Sequence, residues 1–385
     1  MACVRKRGDA YRVDWRDKKG NRYRKTFALK KEAEDFAATV KVDMKAGTYV
    51  APKDVPTLRA IAEQWFANKQ GQKLRPSTLS CYRVNLDSHI LKADFADARL
   101  DAIGVADIEN FRTQLAEKTR RRKRLAPKTI NYVLRDLEAL FAYAMKGRLA
   151  SWNPASCVDR LKQGSDEHGE HGAERTDVAV TEDEVLSPTD CRKLVAEAAD
   201  GFDRAFLMTA VMTGARHDEL LALRWADILF DAGKVHFRRS LSWAKLPGEP
   251  TRPRFFDTKT GRRGNRKVPC PPELMLTLKK WRLQCPHGEL GLVFPTPAGH
   301  PMHRSRILDS VLRPTLKRAE LPTRFHIHTL RHSFCSALLA QGTPPTEVQR
   351  YSGHTRLSTL LDIYSHFIPS EQSGSIERLA GKVLR

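Results

Sequence analysis

The chain is 385 residues long, 41% hydrophobic and 29% charged, too apolar for a disordered polymer and long enough for two or three domains. Lysine and arginine number 67 against 45 acidic residues, and this formal charge of +22 points to a polyanionic partner, nucleic acid first. No run approaches the ~20 apolar residues of a membrane span, the charged start from Met1 to Arg7 predicts no secretory signal, and seven scattered cysteines without a Cys-x-x-Cys pair argue for a reducing compartment rather than a disulfide framework or zinc ribbon.

Residues 1–31 hold twelve basic residues against three acids. Tyr11, Val13 and Trp15 alternate with Arg12, Asp14 and Arg16. Lys18-Lys19-Gly20-Asn21 then reads as a turn, and Tyr23 and Phe27 continue on a second strand that also carries Arg22 and Arg24. A helix follows, with Ala33, Phe36, Ala37, Val40 and Met44 in one stripe and Gly47 as its stop. The expectation for residues 1–51 is a small basic sheet backed by one helix, with Arg12, Arg16, Arg22 and Arg24 on a polar face that could lie in a DNA groove.

Two prolines within 52–56 predict a linker, and from Thr57 the period becomes helical. Leu58, Ile61, Ala62, Trp65 and Phe66 form one apolar face. Pro76-Ser77 opens a second helix with Leu79, Tyr82, Leu86 and Ile90 inward, and Val105 to Leu115 is a third. A basic loop with Lys118, Arg120, Arg121, Arg122, Lys123, Arg124 and Lys128 suits a phosphate backbone. Pro127 then starts a long helix with Ile130, Val133, Leu134, Leu137, Leu140 and Phe141, ending at Gly147. Residues 57–157 therefore read as an all-helical domain. Within 158–186, the stretch 165–184 sets eight acids against Arg175 and predicts an exposed, mobile linker. Residues 187–385 open at Ser187-Pro188 with Asp190 placed as a capping partner. They continue through helical stripes, with strand pieces at Val235-His236-Phe237 and Lys267-Val268 flanking a long basic loop. The fold class expected is multi-domain and mainly α, with a small N-terminal β-sheet plus helix, an all-helical middle domain, and a mostly helical last domain carrying a small β-hairpin.

Three stretches of the last domain carry chemistry. In Thr213-Gly214-Ala215-Arg216-His217-Asp218-Glu219-Leu220, Arg216 leaves the surface at a turn and Glu219, three residues on, is within reach to hold it. In His328-Thr329-Leu330-Arg331-His332, the spacing puts His328 and Arg331 on one helix face. Ser352-Gly353-His354 is followed ten residues later by Tyr364. Each piece alone is unremarkable; their order in combination is specific.

Arg216, Lys259, His328, Arg331, His354 and Tyr364 resemble the complete active-site set of the tyrosine recombinases, the phage integrase family. Residues 1–51 are similar to the family's arm-type DNA-binding domain, 57–157 to its helical core-binding domain and 187–385 to its catalytic domain, with 158–186 as an acidic linker between the last two. Ser352 departs from the leucine usual before Gly-His. Lys259 is chosen because Thr258-Lys259-Thr260 precedes Arg266-Lys267-Val268-Pro269; Lys267 and Lys245 are its rivals. The resemblance implies that Tyr364 attacks a phosphodiester while the arginines and His354 bind the nonbridging oxygens. It implies further that His328 favours deprotonation of the tyrosine and that Lys259 protonates the leaving 5′-oxygen. No cofactor and no metal are implied; His326, His328 and His332 lack the neighbouring ligands of a zinc site. The implied partners are double-stranded DNA at core and arm attachment sites, four copies of the chain at a synapse, an excisionase and a host DNA-bending protein, with no membrane. The implied setting is the cytoplasm of a bacterial host, at the nucleoid. The tail residues Ile376, Leu379 and Val383 could pack on a neighbouring protomer. The alternatives are a type IB topoisomerase and a DNA-binding regulator without catalysis.

Overall fold

The computed structural model describes residues 2–17, 20–46, 49, 51, 55–72, 74–120, 123–162, 179–244, 250–258 and 264–369. Lys18, Lys19, Gly47, Arg121, Arg122, the acidic stretch 163–178, Lys245, Lys259, Ile376, Leu379 and Val383 lie outside the described residues. The chain divides into two compact units, the first built from residues 1–167 and the second from most of 168–385.

The first unit contains two separate apolar cores. In one, β1 (Cys3–Arg7), β2 (Ala10–Arg16) and β3 (Arg22–Phe27) form an antiparallel sheet in that order. Directly paired residues share a face, so the pairs Arg5–Arg12, Asp14–Arg24 and Arg16–Arg22 gather five arginines around one aspartate. On the other face Val13 and Trp15 pack on Ala33, Ala37 and Val40 of α1 (Lys30–Ala46). The sheet has three strands rather than the hairpin that alternation suggests. Strand β1 offers one aliphatic residue, Val4, among Arg5, Lys6 and Arg7, too little for a visible period.

The second core of this unit is helical. Thr57 accepts a hydrogen bond from the Ala60 N–H (3.3 Å) and starts α2 (Leu58–Gly71). Pro76 and Pro127 open α3 (Pro76–Ser88) and α5 (Pro127–Lys146), where a missing N–H costs nothing. These helices and α4 (Val105–Glu117) bury Leu58, Ile61, Trp65, Phe111, Leu137 and Phe141 together. Asp136 is buried between them and accepts from the Asn85 Nδ2 at 2.6 Å; burial raises its carboxyl above the ordinary value. In the basic run after α4, read as a loop, β4 (Thr119–Arg120) is paired antiparallel to β5 (Lys123–Arg124).

In the second unit, Ser187 accepts from the Asp190 N–H (3.1 Å) and caps α6 (Pro188–Ala196), which leads to α7 (Phe202–Thr213) and the short α8 (His217–Leu220). Strands β10 (Arg266–Pro269), β7 (Lys234–Phe237) and β6 (Ile228–Leu229) make one antiparallel sheet, and β8 (Arg239–Ala244) pairs with β9 (Arg252–Asp257) in a separate hairpin. Helices α9 (Pro272–Gln284), α10 (Arg304–Ile307) and α11 (Arg313–Arg318) complete the main core with α7, centred on Phe206, Leu278 and Phe294. Helices α12 (Ile327–Ala340), α13 (Pro345–Ser352) and α14 (Leu357–Tyr364) surround a smaller core of Cys335, Leu339, Val348, Leu360 and Ile363. Val180 is buried in that smaller core, and its N–H donates to the Ile363 carbonyl at 3.1 Å. The Leu186 N–H donates to Ser333 Oγ at 2.8 Å. Residues 179–186 thus belong to the second unit, anchored by buried Val180 and Leu186, while Ala179, Thr181, Glu182 and Asp183 are exposed, as their acidity suggests. Among the described residues no helix is long and apolar enough to cross a membrane.

Candidate active site

The pocket is assembled by two turns and one helix. Gly214 ends α7 in the left-handed conformation (φ 57°), and a Cβ there would stand 2.3 Å from the Phe334 ring, so only glycine fits. The turn delivers Arg216 to the start of α8. Glu219, in that helix's first turn, accepts from the Arg216 N–H (3.0 Å) and from Nη1 (3.2 Å). The Arg216 Nη2 reaches the Gly353 carbonyl at 3.3 Å. Gly353 is the second turn, ending α13 at φ 72°.

Between these turns lies Arg266, a residue that motif reading passes over. Its Nη2 and Nη1 meet the two oxygens of Glu219 at 2.8 and 3.2 Å, and its Nε donates to the Tyr351 carbonyl at 2.6 Å. Burial would push the Glu219 carboxyl up, but the charges of Arg266 and then Arg216 overcome it and hold it at about 2. The sequence does hold a signal for Arg266: on β10 it alternates in phase with buried Val268, which puts a cation at an inward position.

Arg331 stands in the first half of α12 and is 1% exposed. Its Nη1 donates to the Gly214 carbonyl (2.9 Å) and to the Ser352 carbonyl (2.6 Å), tying the two turns together. Burial, helped by Arg216, lowers it to about 10, so it stays cationic at neutral pH. The Arg331 Nη2 lies 3.2 Å from Nε2 of His354, whose Nδ1 is 2.7 Å from Ser352 Oγ. Burial, with the charges of Arg331 and Arg216, moves His354 well below its ordinary range, and burial with His332 does the same to His328. Both rings are neutral at physiological pH.

Tyr364 ends α14 and is 1% exposed. Its hydroxyl is 2.6 Å from Nδ1 of His332, and the His332 ring meets His328 edge to face with centroids 4.7 Å apart. The imidazole bonded to the tyrosine is therefore His332, and His328 stands behind it. The signal for His332 is its position directly after Arg331 and one helical turn after His328. Burial holds the Tyr364 hydroxyl well above its ordinary value, Cys335 adds to this, and Arg331 opposes it.

The structure thus brings Arg216, Glu219, Arg331, His354, His328 and Tyr364 into one pocket and adds Arg266 and His332. Arg216 and Arg266 share the one carboxylate of Glu219 and Arg331 adds a third guanidinium beside His354, which leaves the pocket cationic and fit for an anion. Lys259 is outside the described residues; its rival Lys267 is an exposed residue of β10, paired with His236. Of the candidate DNA-contacting residues, Arg12, Arg22 and Arg24 lie 3.0, 3.3 and 3.4 Å from Asp14, while Arg16 and Arg124 are exposed. The backbone of Lys123 is in β5, and Arg121 and Arg122 are outside the described residues.

The phage integrase family model matches residues 184–371, and the model for the N-terminal SAM-like domain of phage integrases matches 57–116. The chain belongs to the phage integrase family, and it is a tyrosine-type site-specific recombinase. A XerC-like tyrosine recombinase of Caldanaerobacter subterraneus subsp. tengcongensis is 26% identical, covering 94% of this chain and 93% of its own. The ICEBs1 integrase of Bacillus subtilis is 23% identical over 77% of this chain and 75% of its own. Among solved structures, the Tn1549 transposon integrase in complex with transposon right end DNA has a TM-score of 0.63 at 18% identity, covering 86% of this chain and 100% of that one. The lambda integrase tetramer bound to a Holliday junction has a TM-score of 0.57 at 14% identity, covering 95% of this chain and 96% of that one. At these identities the structural likeness establishes the fold.

Proposed function

We propose that this recombinase integrates or excises a phage or mobile element by cutting and rejoining DNA through a 3′-phosphotyrosine at Tyr364. The observation that carries the reading is the convergence, in one buried pocket, of the Tyr364 hydroxyl with the imidazoles of His332 and His354 and the guanidiniums of Arg216 and Arg331. The tyrosine oxygen attacks phosphorus as its proton passes to His332, the group already bonded to it. Arg216 and Arg331 hold the nonbridging oxygens, whose charge grows in the transition state. The bond from phosphorus to the 5′-oxygen breaks, and Lys259 supplies the proton that makes this alkoxide a stable hydroxyl. A 5′-hydroxyl from the partner duplex then attacks the phosphotyrosine and releases the enzyme, so no external energy source is needed.

Residues 57–157 and 187–385 hold the crossover site, and the arginine face of residues 1–51 holds separate arm sites. Two duplexes present four strands to cut, which calls for four protomers at the synapse. An excisionase and a host DNA-bending protein would set the direction. The test is a nicked suicide duplex drawn from the DNA flanking the gene, run on a denaturing gel. Wild type is expected to give a covalent adduct, and Tyr364→Phe is expected to bind DNA and give none. An adduct from the Phe variant would move the nucleophile elsewhere. Relaxation of supercoiled plasmid without any sequence requirement would favour a topoisomerase instead.

A further inference from the structure

Ser352 stands where the family resemblance leads one to expect leucine, and it is wholly buried. Its hydroxyl lies 2.7 Å from the Val348 carbonyl, one turn back on α13, and 2.7 Å from Nδ1 of His354. A hydroxyl has one proton to give and lone pairs with which to accept. When the proton goes to Val348, Oγ accepts Nδ1–H of His354, and Nε2 is left without a proton, beneath the Arg331 Nη2 that lies over the ring face, 3.2 Å from Nε2 and 3.4 Å from Nδ1. When the hydroxyl turns to His354, Nδ1 becomes the acceptor and Nε2 carries the proton. The two arrangements differ by one hydroxyl rotation and by the position of one proton on a neutral ring. They also differ in what they offer a phosphate oxygen, since only the second presents an N–H from His354 alongside the guanidiniums. Leucine could support neither.

We propose that Ser352 is a positioning residue that sets the tautomer of His354, holding Nδ1–H in the DNA-free enzyme and turning to leave Nε2–H when a phosphate oxygen enters. This rests on the reading of the pocket as a phosphodiester site. The drive for the switch is the anion itself. Its oxygen is an acceptor that only Nε2–H can meet, and that bond favours the second arrangement over the first. The Ser352 carbonyl accepts from Arg331 Nη1 at 2.6 Å, so the serine is fixed in place by the same guanidinium that lies over the His354 ring.

The test uses the full chain labelled with 15N-histidine, in which ring-nitrogen shifts report the tautomer and His354→Gln assigns the resonance. DNA-free wild type is expected to show Nδ1–H, and saturating inorganic phosphate is expected to convert it to Nε2–H. Ser352→Ala is expected to show mixed tautomers without phosphate. Its single-turnover adduct formation on a nicked core duplex is expected to fall about tenfold, the scale of one lost hydrogen bond, at unchanged DNA affinity. Ser352→Thr, which keeps the hydroxyl, is expected to restore most of the rate. The same spectrum in wild type and Ser352→Ala, or a Ser352→Leu variant that cleaves at the wild-type rate, would overturn the proposal. Should the added methyl of threonine prevent folding, the Ser352→Ala spectrum still decides. A wild-type chain that forms no adduct yet shows the phosphate-driven tautomer change would fault the recombination reading and leave this one standing.

Discussion

Replacing Glu219 by glutamine keeps the shape of the side chain and removes its charge. The carboxylate is 1% exposed and its closest partner, Arg266, is 3% exposed, so neither can turn to water. The amide would present a donor to one arm of the Arg266 fork, leaving a buried cation short of an acceptor. Removing one partner of a buried pair costs about 3–5 kcal/mol. Proton affinity gives a second route: a carboxyl held at about 2 instead of 4.5 contributes about 3 kcal/mol at ~1.4 kcal/mol per tenfold change. The routes agree, and the loss is a large share of the ~5–15 kcal/mol of a folded domain. At ~2–4 °C per kcal/mol, the transition of the second unit is expected to fall by roughly 6–12 °C in calorimetry of the full chain. The folded-state value lies below the unfolded one, so the stabilisation is complete above pH 4.5 and is lost as pH falls toward 2. The melting gap between wild type and Glu219→Gln is therefore constant near neutrality and narrows in acid. Replacing both partners, with Glu219→Leu and Arg266→Met, is expected to recover part of the loss, because the buried Arg266 charge leaves with its partner and Arg216, 18% exposed, keeps the Gly353 carbonyl and some water. A gap below about 1 °C in the single variant, or one that widens below pH 4.5, would refute the reasoning.

Three further outcomes follow from the same geometry. His332→Ala removes the acceptor 2.6 Å from the Tyr364 hydroxyl and is expected to slow adduct formation roughly 100-fold, more than His328→Ala; equal rates would show that DNA binding moves the tyrosine to another base. Gly214→Ala puts a Cβ against Phe334 in a backbone conformation that disfavours it, so roughly 2–4 kcal/mol of stability is expected to be lost in denaturant unfolding, together with the Gly214 carbonyl's hold on Arg331. Removing residues 1–55 takes away the arginine face but no pocket residue, so cleavage of a short core duplex is expected to persist while binding to arm DNA weakens; the slope of log affinity against log salt should flatten by about 0.9 for each lost phosphate contact, and equal slopes would remove the arm-site assignment.

Much of the fold was legible where burial imposes a period. The stripe Leu58, Ile61, Ala62, Trp65 and Phe66 is buried as a face because a helix against a core repeats every three or four residues. Legibility failed where another demand overrode the period. Strand β1 spends its residues on cations for the exposed face, and β9 carries Pro253 and two arginines around Phe255 and Phe256. The segment 179–186 is acidic by composition and its acids stay outside, yet Val180 and Leu186 are buried and hydrogen-bonded, anchors that an average over the stretch hides.

The site divides along the same line. Spacing within one helix places His328, Arg331 and His332 relative to each other, but which imidazole meets Tyr364 depends on how α14 packs on α12, a contact between distant segments that no local pattern encodes. The electrostatics show why the two glycines matter as much as the charged residues. Burying three guanidiniums is tolerable only if their donors are satisfied, and Glu219 alone cannot do it. The Gly264 carbonyl, just before β10, takes one bond from Arg266, and the other backbone acceptors are the carbonyls of Gly214, Tyr351, Ser352 and Gly353, at the C-terminal ends of α7 and α13, where helices leave carbonyls unpaired and the dipole is negative. Those carbonyls can point into the pocket because Gly214 and Gly353 turn the chain left-handed at that place. Arg331, held by backbone carbonyls, and Arg216, held by Glu219 and the Gly353 carbonyl, are thus in position before any substrate arrives, and a full phosphate charge outcompetes the carbonyls' partial charges. An incoming phosphate oxygen exchanges weak backbone acceptors for itself without having to order the arginines, and this is how a pocket wholly lined by the protein's own groups can be ready for an oxyanion.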